Sequence, residues 1–220
     1  MPRERYPASM SSKQRPSKGV TRRSFIASVS AAAATTPSLL ASSPRPEATA
    51  LVRTSRIQGP GPVPMQLEVN GQKRKALVEA RTTLLDLLRD QLGVTGAKEV
   101  CNMGSCGACT VDLDGRTVNA CMTLALECEG RSVRTVEAMS DGDKLHPLQQ
   151  AFVDEDALQC GYCTPGMLMS AEALLSKNPA ASRAEIQKAL SGNLCRCGTY
   201  PRIFTACERA GKQMPQGGGR

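Results

Sequence analysis

Four cysteines of this chain have a spacing that suits metal chemistry. They follow the pattern C-x4-C-x2-C, with a fourth member after eleven intervening residues: Cys101, Cys106, Cys109 and Cys121. This is the thiolate arrangement that holds a plant-type 2Fe-2S cluster. Gly104 and Gly107 fit the same interpretation, because glycine adopts positive φ cheaply and lets backbone N–H groups approach sulfur. A disulfide knot is the alternative use of these four cysteines.

Two further cysteine pairs stand later in the chain, each at a predicted helix junction. Cys160 and Cys163 have a C-x2-C spacing, and Cys195 and Cys197 have a C-x-C spacing. Brought together across a helical bundle, the pairs would supply four thiolates to one site, which suits a second 2Fe-2S cluster. Structural zinc is the alternative, because two close cysteine pairs also hold zinc, although a C-x-C pair is less usual there.

The composition separates classes of partner. The chain of 220 residues has 28 basic and 20 acidic residues, of which eight and two, respectively, lie in residues 1–50. Residues 51–220 therefore carry a net charge of only +2, and no basic stripe with interleaved aromatic residues remains. No nucleic-acid partner is expected. The ten cysteines instead call for metal or disulfides.

Residues 1–50 have the features of an export signal. Arg22-Arg23 precedes a short, alanine-rich apolar run that ends at Ala34, and Ala48-Thr49-Ala50 offers a cleavage pattern. These features predict a twin-arginine signal peptide cut after Ala50, and hence a periplasmic protein. The run is too short and too polar to span a bilayer, so no stable membrane span is expected; an uncleaved membrane anchor is the alternative. The twin-arginine route exports folded, cofactor-loaded proteins, so metal would protect the thiols from oxidation.

The hydrophobic pattern then predicts a linker followed by a small sheet. Proline and glycine punctuate residues 51–64, which we interpret as a linker. Apolar and polar residues alternate over 65–69, Asn70-Gly71 is a hairpin turn signal, and residues 73–80 can return as a second strand.

A helix, the first cysteine group and more strands follow this hairpin. Thr83 and Asp86 form a capping box that opens a leucine-lined helix. Residues 110–121 are predicted as a second hairpin that puts Cys121 on a strand facing the cysteine loop, and residues 132–137 can complete the sheet.

Beyond residue 145 the periodicity becomes helical. Four short helices are predicted: residues 147–158, one starting at Thr164-Pro165, one capped by Ser182 with Glu185, and one starting at Pro201. His146, the only histidine, stands at the first helix start and is expected to have a structural role. Cys128 and Cys207 are expected to be small buried residues, with a disulfide between them as the alternative.

These elements predict an α+β fold class with two domains. Residues 65–140 have the element order of a β-grasp, plant ferredoxin-like domain. Residues 141–213 form a four-helix bundle that holds the second 2Fe-2S site. Residues 214–220 are predicted to be a disordered tail.

Three motifs resemble one known family. They are Cys-Gly-Ala-Cys-Thr110, Gln159-Cys-Gly-Tyr-Cys-Thr-Pro-Gly166 and Asn193-Leu-Cys-Arg-Cys-Gly-Thr-Tyr-Pro-Arg202. Over residues 65–210 the chain is similar to the iron-sulfur subunit of the molybdenum hydroxylases, the xanthine oxidase and aldehyde oxidoreductase family. It looks most like the periplasmic aldehyde oxidoreductase branch, with isoquinoline-type oxidoreductases close by. Val100 is a departure, since members often carry glycine there.

The resemblance implies a division of labour between chains. A molybdenum ion on a pterin in a large partner subunit would oxidise aldehydes to carboxylic acids, and this chain would conduct the released electrons one at a time. The group at Cys160, Cys163, Cys195 and Cys197 would hold the cluster nearer this molybdopterin cofactor. Gln159 would hydrogen-bond the pterin, unless it is an ordinary helix-end glutamine. An FAD-binding subunit or an external acceptor would receive the electrons.

Other functions stay open from the sequence. The same conducting role in an isoquinoline- or xanthine-type N-heterocycle hydroxylase is one. A free-standing periplasmic ferredoxin-like carrier is another, and it would be a soluble monomer. A disulfide-stabilised binding module is the third, and it would contain no iron.

Overall fold

Residues 61–214 of the chain are described by a computed structural model. The predicted signal peptide, its cleavage after Ala50, the linker as far as residue 60 and residues 215–220 of the predicted tail lie outside the described residues.

The chain enters the described region through a β-hairpin. β1 spans Val63–Val69 and pairs antiparallel with β2, Gln72–Val78. Asn70 and Gly71 between them have φ values of 52° and 77°, which a tight hairpin turn of matching twist requires. The predicted linker extends two residues too far, because Val63 already pairs with Val78.

A short helix follows and carries much of the sheet's core. α1 spans Leu84–Asp86 and continues as a π-helical turn over Leu87–Gln91. The predicted capping box is confirmed: Asp86 N–H donates to Thr83 Oγ1 at 3.1 Å, and Thr83 N–H donates to the Asp86 carboxylate at 3.2 Å. Four leucines of this segment are fully buried: Leu84, Leu85, Leu87 and Leu88.

The remaining strands complete a five-stranded mixed sheet. β3 spans Thr110–Leu113, β4 spans Arg116–Asn119 and β5 spans Ser132–Arg134. The strand order is β2-β1-β5-β3-β4, with β5 parallel to β1 and antiparallel to β3. The prediction that Cys121 lies on a strand is wrong, because β4 ends at Asn119 and residues 120–122 form a 3-10 turn.

Four helices form the second half of the described region. They are α2, Pro147–Asp154; α3, Thr164–Leu175; α4, Arg183–Ala189; and α5, Tyr200–Gln213. α2 ends four residues before the predicted Leu158, because the chain turns at Asp156, which has a φ of 54°. Among residues 61–214, none of the helices combines the length and apolar character needed to cross a bilayer.

Two hydrophobic cores underlie this architecture. The sheet and α1 enclose one core that includes Cys128, and the helices enclose another that includes Cys207. Both cysteines are fully buried, and all ten cysteines of the chain are free thiols. The alternative prediction, a disulfide between Cys128 and Cys207, is wrong, because the two residues lie in different cores. α3 packs against β3, which brings the helical half to the cysteine loop.

Candidate metal centres

The first cysteine group sits on the loop between α1 and β3. Arg89, on the π-helical turn, holds this loop by donating to the carbonyl oxygens of Thr95 and Ala97 at 3.0 and 2.9 Å. The Lys98 N–H donates to the Ala108 carbonyl at 3.1 Å and closes the loop on itself. These hydrogen bonds, which involve no metal, position the loop.

The structure brings all four cysteines of the first group together. The Cys101 thiol is in hydrogen-bonding contact with Cys106, and Cys109 is in the same relation to Cys121. Cys106 also acts electrostatically on Cys109, which links the two pairs. Cys101 is half-buried and the other three are buried. The 3-10 turn thus presents Cys121 to the loop.

Backbone N–H groups point at two of these sulfur atoms. The Gly104 N–H lies 3.3 Å from Cys121 Sγ, and the Met103 N–H lies 3.5 Å from Cys101 Sγ. Gly104 has a φ of +72°, and a Cβ there would lie 2.8 Å from the side chain of Met122. The predicted need for glycine is confirmed at this position, since a side chain would be both strained and crowded.

The thiols of the first group differ in acidity. The Met103 N–H and the Cys106 thiol stabilise the Cys101 thiolate and lower its pKa to about 7. Burial raises the pKa of Cys109 to about 11, and the Cys121 side chain acts in the same direction. At neutral pH the group does not ionise fully by itself. A bound metal would supply the positive charge that deprotonates all four thiols.

The second cysteine group lies where the helices begin. Cys163 caps α3, and Cys195 is buried on the turn before α5. Cys163 is in hydrogen-bonding contact with Cys195 and interacts electrostatically with Cys160. Cys197 is exposed on the same turn, two residues beyond Cys195. The contacts thus join three of the four predicted ligands, and the fourth, Cys197, follows Cys195 on the same turn.

Two residues that the sequence reasoning missed stabilise Cys195. Burial by itself would raise the pKa of Cys195, but the Thr199 hydroxyl at 3.2 Å and the Thr199 N–H bring it down to about 7. The Tyr200 hydroxyl accepts the Cys195 N–H at 2.7 Å. For Cys163, burial and the Cys195 side chain raise the pKa to about 12. The sequence signal available for Thr199 and Tyr200 was their position at the start of α5, just after the cysteine pair.

The donor sets fit two-iron clusters. Each group offers four free cysteine sulfurs, which is the full ligand set of a 2Fe-2S cluster. Within residues 61–214, no three His, Cys, Asp or Glu side chains are gathered so that they could hold one metal ion. A 2Fe-2S cluster distributes its ligands over two irons, so its four sulfurs need not converge on one point.

Each group reaches the surface among exposed apolar side chains. Met103 and Met122 are 68% and 65% exposed beside the first group. Tyr162 and Leu194, 58% and 55% exposed, adjoin the second group, as does exposed Gln159 next to Cys160. Both groups are thus set near surfaces on which a partner protein could dock.

Two protein families match most of the described region. Residues 67–140 match the family described as a 2Fe-2S iron-sulfur cluster binding domain, and residues 135–208 match a second 2Fe-2S binding domain. The first match contains Cys101 and its partners, and the second contains Cys160 and its partners.

Similar proteins are small iron-sulfur subunits of larger oxidoreductases. The nicotine 6-hydroxylase small subunit of Paenarthrobacter nicotinovorans is 53% identical over 66% of this chain and 87% of its own length. The aldehyde oxidoreductase iron-sulfur-binding subunit PaoA of Escherichia coli K12 is 41% identical over 69% of this chain and 73% of its own length.

Two solved structures of oxidoreductases have a similar fold. A chain of quinoline 2-oxidoreductase from Pseudomonas putida 86 superposes with a TM-score of 0.67 at 44% identity, over 69% of this chain and 95% of that one. Aldehyde oxidoreductase from Desulfovibrio gigas superposes with a TM-score of 0.64 at 39% identity, over 68% of this chain but only 17% of its own much longer chain. The predicted α+β fold class is therefore confirmed.

Proposed function

Because this chain belongs to the iron-sulfur subunits of the molybdenum hydroxylases, we propose that it holds two 2Fe-2S clusters and conducts electrons from a molybdopterin centre in a large partner subunit. A 2Fe-2S cluster accepts and releases one electron at a time. The observation that carries the proposal is that the fold gathers the cysteines into two groups, one within each of the two matched 2Fe-2S domains.

The ligands follow from these groups. One set is Cys101, Cys106, Cys109 and Cys121, and the other is Cys160, Cys163, Cys195 and Cys197. The chain's own hydrogen bonds stabilise negative charge on the sulfurs, through the Gly104 N–H at Cys121 and the Thr199 hydroxyl at Cys195. Such bonds favour the reduced form of a cluster and raise its potential.

The second group is proposed to face the large subunit. Tyr162 and Leu194 are more than half exposed around it, and burial of such residues is what a stable interface would provide. Gln159 is exposed next to Cys160, which leaves its amide free to reach the pterin of the partner. By the same argument, the exposed methionines Met103 and Met122 offer a surface to an FAD-binding subunit or an external acceptor.

The substrate is chosen by the partner subunit, and we propose an aldehyde, oxidised to a carboxylic acid. The similarity to PaoA and the predicted twin-arginine leader support it. An N-heterocycle is the second candidate, favoured by the 53% identity to the nicotine 6-hydroxylase small subunit. We also propose that the leader directs export of the folded protein to the periplasm.

Isolation of the native complex tests the function. The expected result is a large molybdenum-containing subunit that co-purifies with this chain, and about four irons per chain in two clusters. A soluble, iron-containing monomer would favour the free-standing carrier instead. Fewer than about two irons per chain after anaerobic reconstitution would reject the proposal. Turnover of aldehydes against N-heterocycles by the complex then separates the two substrate classes.

A further inference from the structure

One backbone hydrogen bond joins the two cysteine groups. The Leu194 N–H donates to the carbonyl oxygen of Cys106 at 2.9 Å. Cys106 belongs to the first group, and Leu194 is covalently bonded to Cys195 of the second. The sulfur atoms of Cys106 and Cys195 are therefore connected through the bonds of these three residues and this single hydrogen bond.

The residue before Leu194 clamps this junction. The Asn193 side chain is only 5% exposed, although an amide is costly to bury without partners. Its Nδ2 donates to the Gly107 carbonyl at 2.9 Å and lies 3.4 Å from Thr110 Oγ1. The Thr110 hydroxyl donates to the same Gly107 carbonyl at 2.7 Å. The clamp thus ties the neighbours of Leu194 and Cys106 together.

Glycines let the two segments approach at backbone distance. A Cβ on Gly107 would lie 2.5 Å from the Gly192 carbonyl oxygen, and a Cβ on Gly166 would overlap the Gly107 carbonyl oxygen. With no side chains between the segments, the Asn193 amide bridges them directly, through the Gly107 carbonyl and the Thr110 hydroxyl. The geometry of the Leu194–Cys106 hydrogen bond therefore depends on this clamp.

We propose that Asn193 is a positioning residue that holds the Leu194–Cys106 hydrogen bond closed and so sets the rate of electron transfer between the two clusters. This inference rests on the proposed function, because it needs both clusters to be bound. With both clusters bound, one electron would leave the reduced cluster held by the Cys160 group and reduce the oxidised cluster held by the Cys101 group. No bond forms or breaks.

The test uses the assembled complex with Asn193→Ala. A single electron is delivered by pulse radiolysis, and its passage from one cluster to the other is followed optically. The expected result is a transfer rate about tenfold lower than in the wild type, because small displacements of positioned groups have large kinetic effects. Iron content and both EPR signals should stay unchanged. Ser191→Ala is the matched control, since this exposed hydroxyl on the same turn only donates to Lys188 at 2.8 Å, and it should transfer at the wild-type rate.

Two results would overturn the inference. One is a wild-type transfer rate in Asn193→Ala with full iron content. If that variant loads iron poorly, Asn193→Asp keeps the size of the side chain but removes the amide donor to the Gly107 carbonyl; a wild-type rate in that variant is the second. If the wild type itself holds only one cluster, the proposed function fails together with the inference.

Discussion

Arg134 and Glu172 form an ion pair between the central strand β5 and helix α3. Arg134 Nη1 lies 2.7 Å from each of the two Glu172 carboxylate oxygens, and Glu172 is 5% exposed. This pair ties the sheet to the helical half on which the second cysteine group is built.

Glu172→Gln should therefore loosen the junction between the halves. Removing one partner of a buried pair leaves an uncompensated charge. Because Arg134 is partly exposed, we expect the free energy of unfolding to fall by about 2 kcal/mol. The midpoint temperature at which the cluster absorbance disappears should fall by several degrees. Glu208→Gln is the control, because its pair with Arg183 is more exposed and should contribute little. Equal effects of the two variants would contradict the prediction.

His146 should make stability depend on pH. Burial lowers its pKa below the usual value; Arg134 acts in the same direction, while Glu172 opposes it. A histidine with a lowered pKa in the folded state binds fewer protons there than in the unfolded state. Stability is therefore retained above about pH 6.5, the unfolded value, and is lost as the pH falls toward the folded value.

The comparison for His146 is His146→Asn. His146 Nδ1 accepts the Leu148 N–H at 3.2 Å as an N-cap, and asparagine retains a capping oxygen without the titration. Between pH 7.5 and 5.5 the melting temperature of the wild type should fall more than that of the variant. Parallel pH profiles would show that His146 does not contribute.

Cys160→Ser should distinguish the EPR signals of the two clusters. The variant is expected to lose one rhombic EPR signal and turnover of the complex while keeping the other signal, because the first cysteine group retains all its sulfurs. Cys207→Ala, at a fully buried cysteine that is not one of the eight proposed ligands, should keep both signals. Disappearance of both signals in Cys160→Ser would argue for a single shared site.

Gly104→Ala should disturb the first cluster specifically. The substitution adds a Cβ at a φ of +72° and 2.8 Å from Met122, on the residue whose N–H faces Cys121. Gly130→Ala is the matched control, with a φ of +71° and open space around it. In both variants backbone strain should lower the free energy of unfolding by about 1–2 kcal/mol. Only Gly104→Ala should change the EPR signal of the plant-type cluster. An unaltered signal in Gly104→Ala would contradict this.

Thr199→Val should lower the potential of the second cluster. The variant removes the hydroxyl 3.2 Å from Cys195 Sγ at nearly constant volume. Because this contact favours negative charge on sulfur, we expect a shift on the order of 50 mV to more negative values in an EPR-monitored redox titration. The first cluster serves as an internal reference and should keep its potential.

Local signals predicted much of this fold, and contacts between distant segments explain what they missed. Capping boxes at Thr83 and Ser182 are confirmed because their hydrogen bonds lie within one turn. The end of α2, which precedes the positive-φ turn at Asp156, and the 3-10 turn at Cys121 had no such local signal. The partners of Asn193 are more than 80 residues away in sequence, at Gly107 and Thr110, and no local pattern marks them. For the sites, cysteine spacing predicted the grouping, whereas the hydrogen bonds of Thr199 and Tyr200 to Cys195 are visible only in the structure, their position after the cysteine pair being the one signal for them.

The place of β5 in the sheet governs the order in which the chain can fold. The two hairpins, β1 with β2 and β3 with β4, are local, but β5 alone connects them. A nascent chain that has not yet reached Ser132 holds two hairpins and no common sheet. Joining the two hairpins into one sheet must then wait for the last strand to be synthesised, which makes a long-range pairing the expected slow step in maturation.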